Sequence, residues 1–476
     1  MSNNTKQSEA FTIWSDEVGT RLDPFFYRPV FKKLVASIND TKHKTLSLGD
    51  IVEFSIAGDW GEDPDTFEPT PDYRLCYVLR NTNFDNKYNL NFDDVAQRYI
   101  KNSKVEKLVL QKGDILIEKS GGSPVQPVGR VAFVEELPFD KPVVFSNFLQ
   151  KIRIADSSFL PEYIFTFLQA VYHLGYTEFL QNQTTGIKNL RLDDFFAIKI
   201  AKLPKEEQKK ISRLAFDARC QAKKMEEEAR QVLVSTNNFM LYELGVEITT
   251  GGVKQIFQVW SDEIITRLDP LYLRDYSAYS NVKSKYPLTM LKELLSQPPQ
   301  YGANERAISG NPLRDVRYIR ITDVAENGEL KSGDWKTAEH IEDRYALQQD
   351  DLLFARSGAT AGKTYIYKNT DGKAIFAGYM IRFKIDPMKA IPDYVFYLTK
   401  TRYYELWKNL IQRPSGQPNI NSEEFRAFKL PLPPVLVQKK IVEKVKSLYI
   451  KTRTLRAQAV ETLANSQKQV EQMILA

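Results

Sequence analysis

The chain has 476 residues, 42% of them hydrophobic, with 66 Lys and Arg against 60 Asp and Glu, for a net charge of +6. That length fits two or three ordinary domains with real cores, and no run of about 18 apolar residues is present to span a bilayer. Cys76 and Cys220 form no CxxC pair, which argues against a zinc site or disulfide framework and suits a reducing cytoplasm, while the mild positive charge admits nucleic acid as a partner without requiring it.

After a polar opening over Met1–Ala10, which does not read as a secretion signal, FTIWSDEVGTRLDP occupies 11–24. This short aromatic segment suits a packing or helical piece. Strand-like runs follow at 44–54, 74–80 and 107–121, where β-branched and aromatic residues alternate. In the last run, Gly113-Asp114 reads as a turn into the apolar triplet Ile115-Leu116-Ile117. The strand leads to a small polar tip, Lys119-Ser120-Gly121-Gly122-Ser123. A helix is expected near 161–181, followed by the polar loop Gln183-Thr184-Thr185-Gly186-Ile187-Lys188-Asn189. A long helix then starts at Pro204, because a first helical turn has no use for the amide that proline lacks. It is expected to run from about 205 to 243 and to stop at Gly245, where glycine suits a helix end.

The rest of the chain repeats this plan, and a long internal repeat decides the fold before anything else does. FQVWSDEIITRLDP at 257–270 matches 11–24. LQQDDLLFARSGA at 347–359 matches LQKGDILIEKSGG at 110–122, and strand runs are expected at 316–324 and 346–358. KAIFAGYMIRFKI at 373–385 resembles PVVFSNFLQKIRI at 142–154, and PDYVFYLT at 392–399 resembles PEYIFTFL at 161–168. A helix is therefore expected near 392–411. PSGQPNI at 414–420 answers TTGIKNL at 184–190, and LPPVLVQKKI at 432–441 answers LPKEEQKKI at 203–211. The spacing falls from 246 (Trp14 to Trp260) through 237 (Ser120 to Ser357) to 230 (Gln208 to Gln438), so insertions and deletions gather in the middle of each unit.

Both units end in a long helix, the second expected from about 435 to 474. Ile211, Ala218, Met225 and Val232 recur every seven residues, with Ala215, Ala222 and Ala229 between them. Ile441, Leu448, Leu455 and Thr462 repeat the series, with Val445, Thr452 and Ala459 between. A heptad seam rich in small residues suits two helices packed closely. About 40 helical residues span about 60 Å. The fold expected is α+β: globular domains over 1–203 and 246–431, and spacer helices over 204–245 and 432–476. The helices would pair as an antiparallel coiled coil with pseudo-two-fold symmetry; the plainer arrangement has each helix lying on its own domain. Two readers on such a rod could reach half-sites about 34 Å apart, one turn of duplex DNA.

Catalytic patterns are sparse. His43, His173 and His340 fall in no HxxH or HExxH arrangement, and neither a GxxxxGK[ST] loop nor a GxGxxG stretch is present. Asp114-Ile-Leu-Ile-Glu118-Lys119 is vaguely like a nuclease metal site, but its duplicate, Asp351 to Arg356, has Ala355 where Glu118 stands. The repeated carboxylate pairs Asp16/Glu17 and Asp262/Glu263 adjoin a Trp and suit capping or packing. Polar tips and loops are better candidates for nucleic acid. Small residues let a backbone approach a phosphate, and Ser, Thr, Lys and Arg supply donors; Gln, Asn and Arg can bond base edges in pairs. The candidates are Lys119, Ser120, Arg130, Thr184, Thr185, Lys188 and Asn189 in the first unit. In the second they are Arg317, Arg320, Arg356, Ser357, Thr360, Lys363, Arg413, Ser415, Gln417 and Asn419, with Arg74 and Arg80 weaker.

The GDILIEKSG and DDLLFARSGATAG segments, the TTGIKNL and SGQPNIN loops, and LPLPPVLVQKKIVEKV at the second long helix together resemble the specificity subunits of type I restriction-modification systems. The resemblance covers both halves in the same order. It implies two target recognition domains that each read half of a split sequence in double-stranded DNA. It also implies a helical ruler that docks two methyltransferase subunits, with or without restriction subunits. S-adenosylmethionine and ATP with Mg would then belong to those partners, and this chain would hold no cofactor, no metal and no catalytic residue. A self-contained restriction nuclease, or a scaffold with duplicated protein-binding domains, are the competing readings.

Overall fold

The computed structural model describes residues 12–13, 26–85, 89–122, 126–184, 187–248, 279, 282–325, 327–331, 333–412 and 418–475, with backbone only at Gln183 and Thr184. The two WSDE…RLDP segments, with Asp16, Glu17, Asp262 and Glu263, therefore lie outside the described residues. The chain divides into two compact units, Met1–Met225 with Ala457–Ala476, and Glu226–Arg456.

In the first unit the strands Val52–Ala57, Leu149–Ile154, Ile115–Glu118 and Val131–Phe133 form an antiparallel sheet in that order. Ile115–Glu118 is central and buried throughout. Successive side chains of a strand face opposite ways, so Ile115 and Ile117 enter one apolar cluster with the helix Pro161–His173. Leu116 enters another, with Cys76, Val78 and Val144. A parallel strand pair, Tyr77 beside Val143, lies in this second layer.

The second unit repeats the arrangement. Gln300–Tyr301, Met380–Phe383, Leu352–Ala355 and Thr364–Ile366 form an antiparallel sheet in the same order. Leu352 and Phe354 face one cluster and Leu353 another. The parallel pair also recurs, as Arg317 beside Ala374. The turns that introduce the central strands confirm the expected geometry. Gly113 has φ 93° and Asp350, its counterpart, has φ 70°. Such a conformation suits glycine and is tolerated by Asp, which accounts for GD in one copy and DD in the other.

Several expected elements are interrupted. The run 44–54 is two strands, Thr45–Ser47 and Val52–Ala57, separated by a helical turn at Leu48–Ile51. Only Ile115–Glu118 of 107–121 is central strand, because Asn102–Leu108 is helical. The helix expected at 161–181 stops at His173, and Gly175 at φ 77° begins a short second piece. The helix expected at 392–411 breaks into Pro392–Leu398 and Arg402–Ile411, with the Thr401 hydroxyl bonded to the Leu398 carbonyl at the junction.

The long helices are Lys205–Glu243 and Val435–Ile474. Pro204 and Pro434 precede them, and Gly245 (φ 58°) closes the first. A buried glutamine ties each start to the globular part. Gln208 accepts a hydrogen bond from the Leu160 amide (2.8 Å) and donates to the carbonyls of Ser158 (2.9 Å) and Leu203 (2.8 Å). Gln438 accepts from the Ile391 amide (2.8 Å) and donates to the Pro433 carbonyl (2.9 Å). Leu160 and Ile391 immediately precede the helices that begin at Pro161 and Pro392, so each glutamine binds an otherwise orphaned helix-start amide. Within the first unit, Ile211, Val470 and Ile474 close the core, and the Ser466 hydroxyl bonds the Leu214 carbonyl. Within the second, Met240, Leu244, Ile441 and Val445 do so, and Lys451 pairs with Glu228 at 2.8 Å.

The buried faces of the two long helices differ in detail from the expected heptad series. Ile211, Ala218, Val232 and Ile441 are buried, whereas Met225, Leu448, Leu455 and Thr462 are half-buried. Of the interleaved series, Ala222 and Ala229 are buried and Ala215 is half-buried on the first helix, and Val445, Thr452 and Ala459 are buried on the second; Thr236 and Ser466, one heptad further on, are buried as well. Thr236 and Thr452 bond the carbonyls of Val232 and Leu448 one turn back, which satisfies their hydroxyls inside the helix.

Candidate nucleic-acid interface

In both units the polar tip of the central strand meets the polar loop that follows the helical region. Ser120–Gly121 pairs with Ile187–Leu190, which in turn pairs with Gln181–Thr184. The Ser120 hydroxyl bonds Asn189 at 2.7 Å, and the Leu190 amide bonds the Lys119 carbonyl at 2.7 Å. In the second unit Ser357 bridges to Asn419, and the Ile420 amide bonds the Arg356 carbonyl at 2.7 Å. Segments far apart in sequence are thus joined by the same contacts twice. A third piece joins each tip and was not evident in the sequence. The Lys119 amide bonds the Phe148 carbonyl, and the Arg356 amide bonds the Tyr379 carbonyl. Phe148 and Tyr379 are exposed, at 40% and 62%. The signal for them was their matched place just before the strands that begin at Leu149 and Met380.

Lys119, Ser120, Asn189, Lys188, Arg356, Ser357 and Thr360 are half-buried at these rims, and Asn419 lies beside Ser357. Burial lowers the Lys119 pKa. Thr184 is described only in its backbone, and Thr185, Arg413, Ser415 and Gln417 lie outside the described residues.

Arg130 and Arg317, both among the expected contacts, are engaged inside their own domains. Arg130 is buried and grips Glu118 with two bonds, 2.8 and 2.9 Å, and also reaches the Asn81 and Phe84 carbonyls. Arg317 is buried in its strand, donates to the Lys331 carbonyl and lies over the Trp335 ring at 4.7 Å. Both guanidinium groups serve their own domain. Arg320 is held by Asp323 and Asp334, as Arg80 is by Asp94. Lys363 donates to the Val324 carbonyl at 3.2 Å.

The duplication explains the Arg130 contact. The Glu118 amide bonds the Arg130 carbonyl, and the Ala355 amide bonds the Lys363 carbonyl, both at 2.8 Å, so the two pairs occupy matching places. Where the acid is present an arginine neutralises it; where it is Ala355, a lysine turns to a backbone carbonyl. Asp114 is likewise committed, to Arg153 at 2.7 and 2.8 Å, and Asp351 faces Arg382 at 3.3 Å. Asp114 and Glu118 are therefore saturated by arginine rather than arranged around a cation, and no cluster of three His, Cys, Asp or Glu suited to a metal occurs among the described residues.

Comparison with known proteins bears on both units. A family model described as type I restriction modification DNA specificity domain matches residues 41–218 and again 304–463, well over half of the chain. The EcoKI specificity subunit of Escherichia coli (strain K12), a type I restriction enzyme subunit, is 24% identical over 390 residues, covering 80% of this chain and 77% of that one. The StySPI specificity subunit of Salmonella potsdam is 25% identical over 169 residues, and the chain spans only 35% of that relative's length. A solved chain from the assembly of the type I R-M system aligns with a TM-score of 0.49 at 12% identity, covering 91% of this chain and 97% of that one.

Proposed function

Because the chain belongs to the type I restriction modification DNA specificity family, we propose that it is the non-catalytic subunit that gives such a methyltransferase complex its DNA target. Each globular domain, 1–203 and 246–431, reads one half of a bipartite sequence in double-stranded DNA. The helices, 204–245 and 432–476, set the distance between the halves and dock two methyltransferase subunits, with or without restriction subunits. S-adenosylmethionine and ATP with Mg sit on those partners, and none on this chain. A complex that modifies the cell's own DNA works in the cytoplasm; among the described residues no helix is long and apolar enough to cross a membrane.

The observation that carries this reading is the double match to one DNA specificity domain, in two units with the same strand order and the same tip-to-loop join. Antiparallel, pseudo-symmetric helix pairing is supported by the contacts inside each unit: the start of the first helix meets the end of the second in one, and the reverse holds in the other. The saturated Asp114 and Glu118 speak against a self-contained nuclease. The test is band-shift and N6-adenine methylation with the co-produced methyltransferase subunits. Sequence-specific modification that requires this chain is the expected result; no DNA binding by the assembled complex would favour the scaffold reading.

A further inference from the structure

Arg356 differs from the other tip and strand arginines of its unit. Arg317, Arg320 and Arg382 each donate to a carbonyl or carboxylate of the protein. The Arg356 guanidinium lies over the Tyr301 ring at 4.9 Å, and its Nε is buried with no acceptor among the described residues. The Tyr301 hydroxyl is held at Ser422, accepting from its amide at 3.4 Å and donating to its hydroxyl at 3.3 Å. Around this pair is a cleft of about 480 Å3, with Ser357, Asn419, Asn304 and the exposed Tyr379 at its walls. The ring supports the guanidinium from one side, and the Arg356 side chain makes no hydrogen bond among the described residues, so its outer amino groups remain available.

The first unit lacks this device at matching positions. Tyr301 sits opposite Ile381 in the sheet register, as Ala57 sits opposite Gln150. The ring is thus replaced by a methyl group, and Arg356 by Lys119. A lysine presents a mobile point charge, whereas an arginine presents a planar fork suited to paired acceptors.

Resting on the DNA-reading function above, we infer that Arg356 reads a guanine in one half-site, donating to its O6 and N7, and that Tyr301 is the positioning residue that holds the fork. Guanine is the base whose major-groove edge offers two adjacent acceptors. The two half-sites then differ in chemistry: one contains a G·C pair read by arginine, and the other has no arginine contact of this kind.

The test maps methylated adenines on a random duplex library with the full complex, comparing the natural chain with Arg356→Lys and Arg356→Ala. Arg356→Lys keeps the charge and places the residue that the first unit already carries there, Lys119. The expected result is a drop in discrimination of about 5- to 150-fold at one G·C position of one half-site, with the other half-site unchanged. Loss spread evenly over all sequences would make Arg356 a phosphate contact and overturn the inference, as would relaxation at an A·T pair or unchanged specificity. If even the natural complex showed no bipartite target, the underlying reading would fall together with this one.

Discussion

Gln208 and Gln438 are fully buried and have no apolar substitute that keeps their bonds. Replacing Gln208 with Leu strands the Leu160 amide and two carbonyls, and each buried polar group left unpaired costs about 1–3 kcal/mol. Gln208→Leu and Gln438→Leu are therefore expected to lower stability by at least that much each in denaturant melts. Glu118 and Arg130 behave differently from a DNA contact. Breaking a buried ion pair by removing one partner typically costs about 3–5 kcal/mol. Glu118→Gln should thus reduce stability strongly, while the folded fraction keeps its target sequence. Lys151 offers a pH signature. It is buried, bonds the Lys107 and Val109 carbonyls, and burial pushes its pKa down to about 8, partly opposed by Asp114. Between that value and the ordinary lysine range the unfolded chain binds the extra proton, so stability should rise with pH there. The stability difference between the natural chain and Lys151→Met should grow in favour of the natural chain from pH 8 to 10; a constant difference would contradict the assignment.

At the scale of elements, the buried faces of the long helices are the sharpest case. Ala229 is 0% exposed and Ala459 is 1%, so added methylenes have no room. Ala229→Leu is expected to cost about 1–3 kcal/mol by overpacking, whereas Met225→Leu should change little; thermal melts separate them. Much of this level was legible in the chain. The long helices announce themselves by Pro204, Pro434 and the heptads, and the Gly113 and Asp350 turns by their residue types. Choosing between interleaved heptad series was harder, because Ala222 and Ala218 look alike and only the packing decides which lies deeper. The Arg130 partner was not legible, because Glu118 is twelve residues away in sequence and adjacent only across the Ile115–Glu118 and Val131–Phe133 register. The swap of Glu118 and Arg130 for Ala355 and Lys363 was the available clue. Tyr301 was missed because it lies in the middle of its unit, where the two copies diverge and the repeat gives no guide.

For the whole molecule, the proposed function uses one duplicated reader twice and has the helices measure the gap between the two half-sites. Removing one heptad from each long helix shortens the pair by about 10 Å at 1.5 Å per residue, which is close to three base pairs of duplex at about 3.4 Å each. The removed heptads should face each other across the seam, so that burial of the flanking small residues is kept. The direct measurement is sequencing of the modified bases in DNA methylated by the complex, before and after this paired deletion. The expected result is one bipartite motif whose half-sites are unchanged and whose spacer shortens by about three base pairs. An unsplit motif, or a bipartite motif with the original spacer in an active deletion variant, would contradict it.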